Sequence, residues 1–180
     1  MALVLANIGV AVAATGTAQA SGEPLYELID AATERLQTAD PVAASKWLSG
    51  APITDPARAA QVLAAVAADA ESVSAPVEYV TTLFTDQINA TEAIQYSRFS
   101  WWKLDPLAAP DAAPDLSSSR ALIDGLNHRM VLEIAEQWPV LRSPDCPVQL
   151  AAAKAAVARD RGLDPLYLQA LDAATRSYCS

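Results

Sequence analysis

The sequence predicts an all-α protein that folds as a single-domain helical bundle. Its 180 residues, 52% of them hydrophobic, are enough to bury one sizeable core. Apolar residues recur with the period of an amphipathic helix over long stretches of the chain. Turn-forming Gly, Pro and Asp residues fall between these stretches, and no pair of short alternating runs indicates a β-hairpin.

The apolar periodicity predicts seven helices. The two longest are joined by a loop over residues 104–115, which is rich in Pro, Ala and Asp. The predicted helices span residues 24–39, 41–49, 56–73, 76–104, 117–141, 147–161 and 164–178.

Three Asp-Pro dipeptides mark helix starts. Asp40-Pro41, Asp55-Pro56 and Asp164-Pro165 each offer a carboxylate N-cap followed by Pro at the first helical position. A carboxylate at the N-cap accepts hydrogen bonds from free backbone N–H groups, and Pro has no N–H to leave unpaired there. These dipeptides therefore predict the starts of the second, third and seventh helices.

The first twenty residues differ from the rest of the chain. An apolar run over residues 2–14 is followed by small residues and by Ala18-Gln19-Ala20, which fits a signal-peptidase site. The run is shorter than the roughly 20 apolar residues of a transmembrane helix. It lacks the usual opening Lys or Arg, since the first basic residue is Arg35. We interpret residues 1–20 as a cleaved signal peptide and 21–180 as a secreted or periplasmic domain that is not attached to a membrane.

The composition excludes several functional classes. The 21 acidic residues outnumber the 12 basic ones, and the net charge of -9 disfavours nucleic acid and anionic membrane surfaces as partners. His128 is the sole histidine, so mixed Cys and His zinc sites and Ser-His or Cys-His nucleophiles lack the residues they need. An acidic protein that binds an anion must gather its few cations in one place.

Cys146 and Cys179 are the two cysteines of the chain. An even pair in an exported protein favours a disulfide, and two thiols alone cannot complete a structural zinc site. The two residues meet if the last two helices pack antiparallel about a turn at Gly162, and the closed loop would stabilise the fold by roughly 3 to 4 kcal/mol. The alternative is two free, buried thiols.

The longest predicted helix carries polar residues within its apolar face. Steps of about 100° per residue place five apolar side chains on that face, namely Val80, Phe84, Ile88, Phe99 and Trp102. Thr91 and Gln95 fall inside the same face, one turn apart. Buried polar groups need partners. Either each bonds to a neighbouring helix or the pair faces a ligand.

Four basic residues lie near helix ends. Arg120 falls on the apolar stripe of its helix, although a first-turn Arg ordinarily extends towards solvent. Arg35, Lys46 and Arg58 have the same ordinary explanation when each is taken alone. An inward Arg120 beside the Thr and Gln pair instead describes a polar cavity that would bind a small anion between helices.

Four stretches of the chain form longer and more specific patterns. They are AATERLQTADPVAASKW (31–47), DQINATEAIQYSRFSWWKLDP (86–106), PDLSSSRALIDGLNHRM (114–130) and ATRSYC (174–179). With their spacing intact, these stretches resemble the exported, actinobacterial subclass of the AroQ chorismate mutases, and the resemblance covers essentially the whole chain after residue 20. It implies an all-helical fold, a complete active site within one chain, chorismate as the substrate, no cofactor and no metal. It also suggests a homodimer.

The resemblance implies a role for each cation. Arg35, Arg58 and Arg120 match the guanidinium groups that hold the two substrate carboxylates, a task that suits bidentate Arg. Lys46 matches one of two donors to the ether oxygen, on which negative charge develops as the C–O bond breaks. The implied catalytic set includes Arg58 and Lys46 together with Gln95, the second donor.

Two further polar residues match the family pattern, and one residue departs from it. Thr91 would add a hydroxyl or backbone contact to the substrate. Asp55 matches a position close to the substrate hydroxyl, although capping its own helix explains it equally well. Val62, one turn after Arg58, stands where related enzymes often have a polar residue facing the substrate.

Gln95 occupies a position at which family members carry Gln or Glu. A Glu must be protonated to donate to the ether oxygen, whereas Gln donates at any pH. We therefore expect activity that does not collapse between about pH 5 and 8. The alternative function is a catalytically inactive exported helical protein that uses the same cavity for binding, because a fold alone does not prove an activity.

Overall fold

The computed structural model describes residues 23–179. These residues form eight α-helices and no strand, which confirms the predicted all-α bundle. The predicted signal peptide lies outside the described residues. The helices are α1 (Tyr26–Gln37), α2 (Ala39–Ser49), α3 (Pro56–Ser72), α4 (Val77–Leu104), α5 (Leu116–Glu136), α6 (Trp138–Leu141), α7 (Cys146–Arg161) and α8 (Pro165–Ala174).

Helix α1 lies at the centre of the bundle, where it packs against α4, α5, α7 and α8. Leu28, Ile29 and Leu36 are fully buried, and the small residues Ala31 and Ala32 let neighbouring helices approach closely. Because α1 is enclosed on most sides, a polar side chain near its end reaches the interior rather than solvent.

Helix α4, the longest helix within residues 23–179, packs against α8, α3 and α2. Its predicted apolar face is confirmed at Val80, Phe84 and Trp102, which are buried. Trp102 joins a small aromatic cluster with Trp47 of α2, whose ring centroid lies 5.5 Å from that of Trp102 and 5.2 Å from that of Phe99. This cluster fixes the end of α2 against α4.

Two of the three predicted N-caps are confirmed. The Asp55 carboxylate accepts a hydrogen bond from the Arg58 N–H at 3.0 Å, and Asp164 accepts one from the Tyr167 N–H at 2.9 Å. The third prediction is wrong, because α2 begins at Ala39 and Asp40 lies inside it.

A near-continuous helix explains the wrong cap at Asp40. Thr38 alone separates α1 from α2, and its backbone stays in the right-handed helical region at φ −67° and ψ −11°. The chain therefore never leaves the helical conformation at which an N-cap would form. The Asp40 carboxylate instead pairs with the Arg98 guanidinium of α4 at 2.7 and 3.0 Å.

Two helices end earlier in the structure than the sequence analysis predicts. The helix predicted over 117–141 breaks at Gln137, because Pro139 has no N–H with which to continue the ladder of hydrogen bonds. The helix predicted over 164–178 ends at Ala174, and the chain then turns towards α7. The loop predicted over 104–115 contains one 3-10 turn at Pro106–Ala108.

The predicted disulfide between Cys146 and Cys179 is confirmed, with the two Cα atoms 5.6 Å apart. Gly162 ends α7 with φ at +60°, a left-handed conformation that suits Gly, and α8 runs back from there towards the start of α7. The Tyr79 hydroxyl of α4 donates to the Tyr178 carbonyl at 2.5 Å. The end of the chain is thus attached both to α7 and to α4.

None of the helices within residues 23–179 combines the length and the apolar character needed to cross a membrane.

Candidate active site

A cavity lies between α1, α2, α3, α4 and α5, beneath the loop of residues 50–55 that joins α2 to α3. It encloses about 650 Å³ when counted out to its open mouth. The structure brings all seven residues of the predicted site into its wall, namely Arg35, Lys46, Asp55, Arg58, Thr91, Gln95 and Arg120.

Arg35 reaches the cavity from the last turn of α1 and is almost fully buried, with 4% of its surface exposed. Its Nε donates to the Asn127 side-chain oxygen at 2.7 Å, and its Nη1 donates to the Thr91 hydroxyl at 3.2 Å. Burial lowers the pKa of Arg35 to about 10, so the guanidinium remains charged at neutral pH. Within residues 23–179, no carboxylate forms an ion pair with it.

Lys46 lies in the last turn of α2, where the loop turns back over it. Gly50 makes this turn possible, because its φ of +71° is a left-handed conformation that side chains disfavour. The Lys46 ammonium donates to the Ile53 carbonyl at 2.6 Å and has two further N–H donors. Burial lowers the pKa of Lys46, and Arg120 also lowers it, while the Asp55 and Glu92 carboxylates raise it.

Thr91 and Gln95 lie one turn apart on the cavity side of α4. The Thr91 hydroxyl donates to the Gln87 carbonyl at 2.7 Å, so it can only accept from Arg35. Gln95 is 3% exposed, and its amide nitrogen makes only a long contact of 3.4 Å to the Thr91 carbonyl. Its side-chain oxygen is buried without a partner among the described residues. The Gln95 amide is therefore poorly satisfied by the protein itself.

Arg58 and Arg120 approach the cavity from α3 and α5, nearer to solvent. The Arg58 guanidinium pairs with the Asp124 carboxylate of α5 at 2.6 Å, and its side chain is 27% exposed. Arg120 is exposed and lies one turn before Asp124 on the same helix. Both cations therefore belong to the mouth of the cavity rather than to its buried end.

Asp55 both caps α3 and lines the cavity, so the two explanations of this residue are compatible. Its cap bond to the Arg58 N–H also sets where α3 begins, and with it the position of the Arg58 side chain. Val62 lies one turn further along α3, is buried, and also lines the cavity. The α3 wall is therefore apolar at Val62, the position that the sequence analysis identified as a departure.

The sequence-based prediction missed Glu92, a second carboxylate in the cavity wall. Glu92 accepts a hydrogen bond from Thr54 at 3.1 Å, and the Thr54 hydroxyl also lies 3.0 Å from the Tyr96 hydroxyl. These contacts fasten the loop to α4. The signal was present in the sequence, since Glu92 and Gln95 are three residues apart and share one face of a helix.

The charges in the cavity wall do not balance. Four cations face two carboxylates in the wall, and the ion pair of Arg58 with Asp124, just outside the wall, reduces the formal surplus from two positive charges to one. The remaining wall is largely apolar and includes Val42, Ile53 and Ile88. No group of three or more His, Cys, Asp or Glu side chains within residues 23–179 is arranged to hold a metal ion. Four cations gathered in a confined, largely apolar site attract a small anion.

The sequence is similar to that of two secreted enzymes. The family model described as chorismate mutase type II matches residues 26–96. A secreted chorismate mutase from Mycolicibacterium smegmatis is 53% identical over 180 residues, covering 98% of this chain and 99% of that protein. A secreted chorismate mutase from Mycobacterium tuberculosis is 53% identical over 166 residues, covering 92% of this chain and 81% of that protein.

The fold is shared with solved chorismate mutase structures. The enzyme from Burkholderia phymatum superimposes with a TM-score of 0.84 at 31% identity, covering 89% of this chain and 99% of that one. The secreted enzyme from Yersinia pestis gives a TM-score of 0.67 at 26% identity, covering 84% of this chain and 94% of that one.

Fold, cavity and relatives together define the class of this protein, a secreted helical-bundle enzyme with a cation-rich cavity. The chain belongs to the type II chorismate mutase family and is one of its secreted members. This confirms the resemblance and the export that the sequence predicted. The extent of the signal peptide and the role of each cavity residue stay predictions.

Proposed function

We propose that the cavity binds chorismate and catalyses its rearrangement to prephenate. The four cations gathered in the wall carry this proposal, because chorismate has two carboxylates and no other charge. The apolar remainder of the wall suits the carbon skeleton of the substrate.

The three Arg residues of the cavity hold the two carboxylates in this proposal. Arg35 is buried and has no carboxylate partner among the described residues, so a substrate carboxylate would compensate a charge that the protein leaves unpaired. Arg58 and Arg120 bind at the mouth, where Arg58 must partly exchange its contact with Asp124 for the substrate. Guanidinium groups suit this task because their N–H donors match a carboxylate in pairs.

Lys46 and Gln95 donate to the ether oxygen of the substrate. The rearrangement is unimolecular, so it needs neither a nucleophile nor a proton transfer. The enzyme has to hold the enolpyruvyl arm over the ring and stabilise the negative charge that develops on the ether oxygen. The Lys46 ammonium and the poorly satisfied Gln95 amide are donors that strengthen as this charge grows.

The size of the electrostatic contribution is consistent with catalysis by these residues. A million-fold acceleration needs about 8 kcal/mol of transition-state stabilisation. A single preorganised donor of this kind contributes roughly 3 to 4 kcal/mol, so two donors together with the restraint of the substrate conformation are enough. Thr91 fixes Arg35 and lines the site, and Asp55 supplies an acceptor for the substrate hydroxyl.

Export of this activity is proposed to depend on residues 1–20 as a signal peptide, with the mature chain beginning at Ser21. The homodimer that the family resemblance suggests also belongs to the proposal. No cofactor takes part in the proposed reaction.

Chorismate turnover by the purified protein tests this function directly. The loss of chorismate absorbance and the appearance of prephenate are measured for the parent, for Arg120→Ala in the cavity mouth and for Arg142→Ala, an exposed Arg outside the cavity wall. We expect turnover by the parent. Arg120→Ala should have a raised KM, and Arg142→Ala should keep the parent kcat and KM. A folded parent that binds chorismate in a calorimeter without converting it would establish the alternative, an inactive binding protein.

A further inference from the structure

Asn127 is a buried polar residue that none of the proposed catalytic steps uses. It lies on α5, two turns after Arg120 and on the same side of the helix, and it is 4% exposed. Its side-chain oxygen accepts the Arg35 Nε–H at 2.7 Å, which is the shortest contact that holds this guanidinium. Asn127 therefore connects α5 with the cation at the buried end of the cavity.

Among the described residues, all the groups that hold the Arg35 guanidinium are uncharged. Besides Asn127, they are the Thr91 hydroxyl at 3.2 Å and the Phe84 ring, whose centroid lies 5.8 Å from the guanidinium carbon. A carboxylate at the position of Asn127 would hold the guanidinium more strongly, but it would also cancel the charge that attracts an anion. An amide oxygen fixes the orientation and leaves the charge in place.

The contact between Asn127 and Nε also decides which part of the guanidinium meets a ligand. Nε is bonded to Asn127 and one Nη1 hydrogen to Thr91. The Nη2 amino group has no acceptor among the described residues, and Arg35 lines the cavity. With Nε held, the terminal N–H groups are the ones available for a carboxylate.

We propose that Asn127 is a positioning residue for substrate binding: its neutral side-chain oxygen fixes the buried Arg35 guanidinium in the orientation that receives a substrate carboxylate, without neutralising it. This inference rests on the proposed function for the identity of the ligand. It assigns no role in the chemical step to Asn127 itself.

Two substitutions separate orientation from charge. Asn127→Leu removes the acceptor and keeps the branching of the side chain, and we expect kcat/KM for chorismate to fall by about 10- to 100-fold, the effect of losing a hydrogen bond to a charged group. Asn127→Asp keeps the acceptor but neutralises Arg35, so we expect a larger rise in KM than Asn127→Leu gives. Asn127→Asp should nevertheless melt no lower than the parent, because it pairs a buried charge.

The order of the two variants distinguishes positioning from a purely structural role. A structural role predicts that Asn127→Asp, which keeps the bond and the shape, is the milder change in KM, and that result would overturn the proposal. Asn89→Leu, at an exposed Asn of α4, is the matched control and should leave KM and kcat unchanged.

A second measurement does not depend on turnover. In ¹⁵N spectra, the Arg35 Nε–H, identified by its loss in Arg35→Lys, should exchange slowly with solvent in the parent and in Asn127→Asp, and rapidly in Asn127→Leu. Equally slow exchange in Asn127→Leu would contradict the positioning role even if chorismate is converted normally. A parent that neither binds nor converts chorismate would instead overturn the proposed function, and the exchange data would still show whether Asn127 holds Arg35.

Discussion

The cations at the buried end and at the mouth of the cavity differ in their exposure and in their partners. At the buried end, Arg35 is 4% exposed and is held by an amide oxygen, a hydroxyl and an aromatic ring. At the mouth, Arg58 is 27% exposed in its side chain and is paired with a carboxylate. The first arrangement keeps a full charge in a region of low dielectric constant, whereas the second is screened by solvent and by its partner.

This difference indicates which charges stabilise the transition state and which mainly attract the substrate. A charge that is fixed and shielded from water acts strongly on a substrate and needs no reorganisation during the reaction. An exposed charge attracts the substrate and selects for its sign, but its interaction with the bound molecule is weak. We therefore expect substitutions at the buried end to affect activity far more than substitutions at the mouth.

Removal of Lys46, the half-buried donor proposed for the ether oxygen, should have the largest effect. Lys46→Ala should lower kcat by roughly 100- to 1000-fold, the cost of losing one preorganised donor. Lys103→Ala, at an exposed Lys of α4 outside the cavity wall, is the control and should retain the parent kcat. A Lys46→Ala variant that is folded and retains more than a tenth of the parent kcat would rule out this role.

Equivalent substitutions at Arg35 and Arg58 test the contrast itself. Arg35→Lys loses the paired N–H donors in a buried site, and we expect kcat/KM to fall by about 10- to 100-fold. Arg58→Lys keeps the charge of a partly exposed cation, and we expect a fall of less than about fivefold. Equal losses for the two variants would contradict the distinction between buried end and mouth.

Reduction of the disulfide should have the smallest effect on activity, because Cys146 and Cys179 lie outside the cavity wall. The bond closes a loop with a sequence separation of 33 residues, so its loss should destabilise the fold by roughly 3 to 4 kcal/mol. We expect the melting temperature to fall by roughly 10 °C, with kcat at 25 °C changed less than twofold. A large loss of kcat in the reduced but folded protein would show that the α7–α8 hairpin contributes to the site.

The sequence was sufficient to predict the bundle, because amphipathic periods and Pro-containing helix starts are local signals. The wrong N-cap at Asp40 came from the helical backbone at Thr38, and the non-local contact that the sequence did not indicate is the pairing of this carboxylate with Arg98 of α4, fifty-eight positions away along the chain. The break at Gln137 had a local signal, Pro139, but the apolar periodicity continues past it and led to the prediction of one helix.

The candidate site was predicted by the polar pair on α4 and, more fully, by the family resemblance. Neither source indicated the environment of each residue. That Arg35 is held by uncharged groups while Arg58 is paired with Asp124 depends on how α5 packs against α1 and α3. Such packing joins residues that are distant in sequence, so no spacing pattern reveals it.

The pH dependence of kcat, measured for the parent beside Gln95→Glu, tests the central claim that the cavity stabilises developing charge without transferring a proton. We predict a flat parent profile between about pH 5 and 8, because neither the Gln95 amide nor the Lys46 ammonium loses a proton there. Above this range, kcat should begin to fall at a pH below the ordinary pKa of a Lys side chain, since burial lowers the pKa of Lys46. Gln95→Glu should be active only below the pKa of its carboxyl, which donates only when protonated, and should lose activity as pH rises through it. A parent profile that falls steeply between pH 5 and 8 would contradict the account.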